Sequence, residues 1–295
     1  MTESTAPTNT GSVDFVVGDH TFQTWYKILG DIHTSKKRPI VMLHGGPGFN
    51  HVPHEKLFTD AGIPVVFYDQ IGLRQYPESP PEFWTVDLFN DELDNLLRHL
   101  GIRDNFDLYG HSWGGIFGSD YASNRMHPGL KRLILANTFC SSKLYIQGAQ
   151  YWRDQLPNGL GDVLRKHEVD GTTDSPEYKE TLAIYRNIHL CTLTPWPKKL
   201  VHSMANGKDN RHPEFSMSKR LKDWSVIDVL HNVTCPTLLI SAPQDEMWEP
   251  AVRPFFLNIP KCKWVELQNS SHVPMYEEPD NYFKILINFL SSVEA

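Results

Sequence analysis

Gly110-His111-Ser112-Trp113-Gly114-Gly115 constrains this chain more than any other stretch. Phe106-Asp107-Leu108-Tyr109 before it reads as a short apolar strand, and Ile116, Phe117, Tyr121 and Ala122 after it fall on a helix. Glycines 110 and 114 flank the serine in a G-x-S-x-G pattern. That pattern suits a strand–turn–helix elbow, where the nucleophile takes a strained backbone that bulkier neighbours would block. A hydroxyl at the mouth of a helix also sits near the positive end of its dipole, which favours a developing anion. An ordinary glycine-rich turn would look similar over six residues, so the rest of the chain must decide.

The surrounding pattern is that of an α/β protein. Val13–Val17 and Thr21–Leu29 read as a hairpin turning at Gly18-Asp19. Ile40-Val41-Met42-Leu43 and Val65-Val66-Phe67-Tyr68 are continuous apolar runs of the kind found in buried central strands. Trp84 to Leu100 carries apolar residues at helical spacing and stops at Gly101. Leu133–Ala136, Thr237–Ser241 and Lys263–Leu267 continue the strands, and a helix is expected over Asp280 to Val293. Alternation of strand and helix implies a mostly parallel sheet with crossover helices on both faces. From about residue 141 to 225 the strand runs give way to aromatics and scattered prolines, which reads as an inserted helical cap. The expected layout is a disordered polar leader over 1–12, a core over 13–140 and 226–295, and the cap between.

Composition excludes some classes of function. With a net charge of −7 and no basic run, nucleic acid and anionic membrane are not the expected partners. No stretch approaches the roughly 18 apolar residues of a membrane helix, and the opening residues lack the features of a signal peptide. Four scattered cysteines (140, 191, 235 and 262) have neither metal-site nor disulfide-scaffold spacing, consistent with free thiols in a cytoplasmic protein. No metal or cofactor site is expected, and nothing assigns an oligomeric state.

Chemistry enters through chain order. A serine elbow follows one strand, Asp245 follows a later one, and His272 follows the last. Ser112, Asp245 and His272 thus stand in the order nucleophile, orienter, base that α/β-hydrolase triads follow. A serine hydroxyl is a poor nucleophile at neutral pH, needing a base whose tautomer a carboxylate fixes. His111, inside the elbow, is expected to be structural and to point away from Ser112. His44-Gly45-Gly46-Pro47-Gly48 runs out of a buried strand and leaves backbone N–H groups unobstructed, as an oxyanion hole requires. Gly45 is a candidate substrate contact.

HGGPG, Tyr68-Asp69-Gln70-Ile71-Gly72 and GHSWGG together resemble the proline iminopeptidase (prolyl aminopeptidase) family of α/β-hydrolase serine peptidases, from about Val13 to the C-terminus. The resemblance implies a Ser112–His272–Asp245 triad, an oxyanion hole from the N–H groups of Gly46 and Trp113, and a lid. It also implies that Glu246, next to Asp245, and Glu214, in Pro213-Glu214-Phe215, hold the free amine of a small peptide or amino-acid amide. A buried ammonium needs a paired carboxylate, which would make the enzyme an exopeptidase. The family's Gly-x-Gly-x-Ser is replaced here by Gly72-Leu73-Arg74-Gln75-Tyr76. An esterase, lactonase or pathway-specific hydrolase without amine recognition is therefore the alternative, and a non-catalytic receptor is a third.

Overall fold

The structure, a computed structural model, describes residues 8–46, 58, 60–71, 83–206 and 221–292. Eight strands form one sheet: β1 (Thr8–Val17), β2 (His20–Leu29), β3 (Ile40–Leu43), β4 (Val65–Asp69), β5 (Phe106–His111), β6 (Leu130–Ala136), β7 (Thr237–Ser241) and β8 (Cys262–Glu266). Their spatial order is β1-β2-β4-β3-β5-β6-β7-β8. The β1–β2 and β2–β4 pairs are antiparallel and all others parallel. Chain order and spatial order part at β4-β3-β5. The sheet is extended in one direction up to β4 and in the other from β5 onward. The loops after β3 and β5 therefore lie side by side, as at the switch point of other doubly wound sheets.

Alternation along the strands builds two cores. In β3, Val41 and Leu43 join one cluster and Ile40 and Met42 the other. Helices α1 (Val86–His99) and α2 (Trp113–Asp120) cover the first face, with Leu93, Leu96, Ile116 and Phe117 buried against it. Thr85 caps α1 by accepting a hydrogen bond from Leu88 N at 3.1 Å, satisfying one of the orphan donors of a helix start. Gly101 follows that helix at φ 66°.

The polar leader is shorter than the sequence suggests. Thr8–Ser12 extend β1 and pair with Leu29–Trp25 of β2. Backbone pairing needs no apolar side chains on an edge strand, so a run of Thr, Asn, Gly and Ser can join a sheet unannounced.

Between β6 and β7 the chain forms α3 (Ser142–Asp154), α4 (Leu160–Val169), α5 (Pro176–His189) and α6 (Lys198–Asn206). The ends of this insertion meet in an isolated bridge, Ser141 to Ser225, with Ser142 N donating to Trp224 O and Val226 N to Cys140 O, each at 3.0 Å. After β7 come α7 (Glu249–Asn258), then β8, the single turn α8 (Pro274–Glu277) and α9 (Pro279–Ser291), whose Tyr282, Phe283 and Leu286 cover the second face. The four cysteines are free thiols, and no helix among the described residues is long and apolar enough to cross a membrane.

The elbow closes by backbone contact. A Cβ on Gly114 would collide with the carbonyl oxygens of Leu43 and His44, and one on Gly110 with the Gly114 carbonyl. Helix α2 can approach the ends of β3 and β5 this closely only without those side chains. Gly118, in the same helix, has room: its Cβ would meet Leu43 Cδ1 at 3.4 Å. Gly114→Ala should therefore lower unfolding free energy in urea by about 1–3 kcal/mol through overpacking. Gly118→Ala should leave it unchanged or raise it by up to about 1 kcal/mol, the helix-propensity gain.

Candidate active site

Ser112 joins β5 to α2 with φ 53° and ψ −120°. That backbone costs a non-glycine residue on the order of 1–3 kcal/mol and persists only where surrounding packing dictates it. The side chain makes no capping bond to its own helix, and Oγ lies 2.9 Å from His272 Nε2. His272 Nδ1–H donates to Asp245 Oδ1 at 2.8 Å. Ser112, Asp245 and His272, predicted from three separate loops, are thus brought into one hydrogen-bonded chain, and all three are buried.

Asp245 is tied down on every side. Its Oδ1 also accepts from Met247 N at 2.9 Å, and Oδ2 accepts from Asn137 Nδ2 at 2.7 Å. Asn137 follows β6 at φ 49° and also donates to Ser271 O at 3.2 Å. This asparagine escapes a search for nucleophile, base and acid, because it only holds the acid. A polar side chain directly after the apolar run of β6 is the signal that marks it.

Burial works against a charged His272, but the attraction and hydrogen bond of Asp245, with Glu246 and Glu277 adding to them, outweigh it and raise its pKa well above 6.5. His111 behaves oppositely. Burial, with repulsion from His272 next, pushes it down to about 3, so it stays neutral. Its Nε2–H donates to His272 O at 2.9 Å, and the two rings lie 5.0 Å apart. It faces the backbone of the loop that carries His272.

The serine opens into a cavity of about 400 Å³ lined by Gly46, Ser112, Trp113, Phe139, Glu246 and Met247, among others. Trp113 is the first residue of α2, so its N–H has no acceptor within the helix. Gly46, which follows β3, lines the same cavity. Gly45 is buried behind them, where a Cβ would lie 3.0 Å from His111 Nδ1, and it does not line the cavity. The insertion contributes Tyr145, whose ring stacks on Phe139 at 4.6 Å.

Glu246 Oε1 lies 3.8 Å from His272 Nε2. Among the described residues no hydrogen-bond donor meets its carboxylate. Burial raises its pKa, with His272 opposing, and its charge in turn raises the phenol of Tyr145 well above the usual range. Glu246, its side chain partly exposed, thus sets a carboxylate on a cavity wall that it shares with apolar side chains and with Ser112, Tyr145 and Lys222. Glu214, Pro47, Gly48 and the Leu73–Tyr76 loop lie outside the described residues. Among the described residues no cluster of His, Cys, Asp and Glu could hold a metal ion.

Comparison with known proteins agrees with this fold. The profile of the alpha/beta hydrolase family matches residues 40–285. A proline iminopeptidase of Clostridioides difficile is 30% identical over 285 residues, covering 92% of this chain and 95% of that protein. One from Elizabethkingia meningoseptica is 30% identical, covering 93% and 95%. Among solved structures, VinJ aligns with a TM-score of 0.85 at 35% identity, covering 96% of this chain and 99% of the other. The proline iminopeptidase of Mycobacterium smegmatis aligns with a TM-score of 0.80 at 30% identity, covering 95% and 97%. With the fold, the family profile and relatives of nearly equal length in agreement, this chain belongs to the α/β-hydrolase family, in its proline iminopeptidase branch.

Proposed function

We propose that the protein is a serine hydrolase that releases N-terminal residues, proline preferred, from small peptides or amino-acid amides. Ser112 Oγ attacks the carbonyl carbon of the N-terminal residue while His272 Nε2 takes its proton and Asp245 holds the imidazolium. The oxyanion accepts hydrogen bonds from the N–H groups of Gly46 and Trp113. His272 then gives its proton to the leaving amine, freeing the shortened peptide and leaving an acyl-Ser112 ester. Water, deprotonated by His272, attacks that ester, and the proton returns to Ser112 as the amino acid departs.

The observation that carries this reading is Glu246, a carboxylate without donors among the described residues, 3.8 Å from the nitrogen that serves Ser112. An α-ammonium is one carbon removed from the carbonyl under attack. A carboxylate this close to the base is therefore placed for an N-terminal amine and poorly placed for one farther along a chain. Proline carries a secondary ammonium with two N–H donors beside an apolar ring, which suits Glu246 and the walls formed by Phe139 and Met247. Relatives named for this activity support the same choice.

The amine part is tested on aryl-amides of proline and alanine beside their N-acylated forms. Free-amine substrates should be strongly preferred, proline over alanine. Glu246→Gln should cut kcat/KM on them by about 100-fold, the loss expected when one partner of a desolvated charge pair is removed. Equal rates on blocked and free substrates would instead favour an esterase or amidase that ignores the amine.

The pH dependence follows from the carboxylates around His272. They stabilise the imidazolium, so the neutral base appears only as pH rises through a pKa above the usual ~6.5. Labelling of Ser112 by a fluorophosphonate, which needs no amine, should therefore accelerate with pH along an acid limb displaced above 6.5. Glu246→Gln should move that limb to lower pH.

A further inference from the structure

Glu277, on the short helix α8, receives four hydrogen bonds from two separate parts of the molecule. Oε1 accepts from Thr192 N, Thr192 Oγ1 and Ser271 Oγ, each at 2.8 Å, and Oε2 accepts from Ser271 N at 2.8 Å. Ser271 directly precedes His272 and is fully buried. Thr192 lies just beyond the C-terminal end of α5, in the insertion between β6 and β7. One carboxylate thus holds the residue before the base and the end of a cap helix at once.

The same helix end is fastened to the acid. His189 Nδ1–H donates to Gln244 O at 2.8 Å, and Glu246 N donates to His189 O at 3.2 Å. The segment His189–Thr192 therefore touches the loop of Asp245 and Glu246 on one side and, through Glu277, the loop of His272 on the other. Four donors converging on a carboxylate form charge-assisted bonds, stronger than neutral ones and directional. The Ser271 end is buried and the Thr192 end exposed, so the grip on the base loop is the tighter of the two.

We propose that Glu277 is a positioning residue that fixes the base His272 through Ser271 and couples it to the end of cap helix α5 through Thr192. This rests on the proposed role of His272 as base. Cap closure over a substrate and placement of the base then become one event, because both move against the same carboxylate. Glutamine cannot replace it. All four partners donate, and an amide NH₂ in place of one oxygen would confront the Ser271 N–H or the Thr192 and Ser271 donors.

The charged and titratable groups about His272 are Asp245, Glu246, Glu277 and the neutral His111. Removing the charge of Glu277 withdraws one stabiliser of the imidazolium, whereas a purely structural defect would leave the proton equilibrium where it was. The experiment is fluorophosphonate labelling of Ser112 as a function of pH in the full chain, with thermal unfolding of each variant measured alongside. Glu277→Gln should label about 10- to 100-fold more slowly on the plateau, the cost of a slightly misplaced catalytic group, and its acid limb should move to lower pH. Thr192→Val keeps the charge and breaks only the cap link. It should slow labelling less, with the acid limb unmoved, and should lower kcat on a proline aryl-amide more than it raises KM.

Wild-type rate and limb in Glu277→Gln would overturn the positioning role, and wild-type kinetics in Thr192→Val would overturn the coupling. If Glu277→Gln fails to fold, Ser271→Ala removes a buried donor at constant charge. It should slow labelling at an unchanged limb, and wild-type labelling would refute the proposal. Absence of labelling in the wild-type protein would refute the triad itself, a result distinct from each of these.

Discussion

Everything at the candidate site depends on the contact between the start of α2 and the end of β3. Gly114 rests against the carbonyl oxygens of Leu43 and His44, and Gly110 lets the chain turn beneath it. That contact holds Ser112 at φ 53°, turns its hydroxyl toward His272, and sets the Trp113 N–H beside the Gly46 loop. Nucleophile and candidate oxyanion donors are consequences of one close approach. The strain at a single residue is offset by burial across two cores.

A second constraint is electrostatic. Asp245 and Glu246 are consecutive, and Glu277, on α8, adds its charge near the same histidine. Crowding carboxylates around a buried imidazole would be costly if each lacked partners. Asp245 has three hydrogen bonds and Glu277 has four. Glu246 alone has no donor among the described residues. The difference separates two carboxylates held by donors from one that lines the cavity with none among the described residues, a distinction composition could not draw.

Much of this was legible in the residues. Buried strands announce themselves as unbroken apolar runs, since a parallel strand is covered on both faces, and β3, β4, β6 and β7 lie where those runs predict. The elbow and Asp245 were readable because each follows such a run, His272 because it follows the last strand, and the order of the three is the signature. The start of β1 was not readable, because Thr8–Ser12 pair through backbone alone. Asn137 and Glu277 were missed for a related reason. Asn137 bonds a residue 108 positions away, and Glu277 joins Ser271, six positions before it, to Thr192, 85 positions before it, so no local pattern records the full set of partners.

By itself the sequence determined the alternation of strand and helix, the glycine elbow and the three chemical groups in order. These are local properties, written in side-chain periodicity and in the few places only glycine can occupy. The tertiary structure alone decided which carboxylate bonds His272, which lines the cavity with no hydrogen-bond donor among the described residues, and which joins Ser271 to Thr192. All three sit within a few residues of an apolar strand or of His272 and look alike in one dimension. Only the folded sheet, which brings the loops after β5, β6, β7 and β8 together, gives each carboxylate its own set of donors and hence its own chemistry.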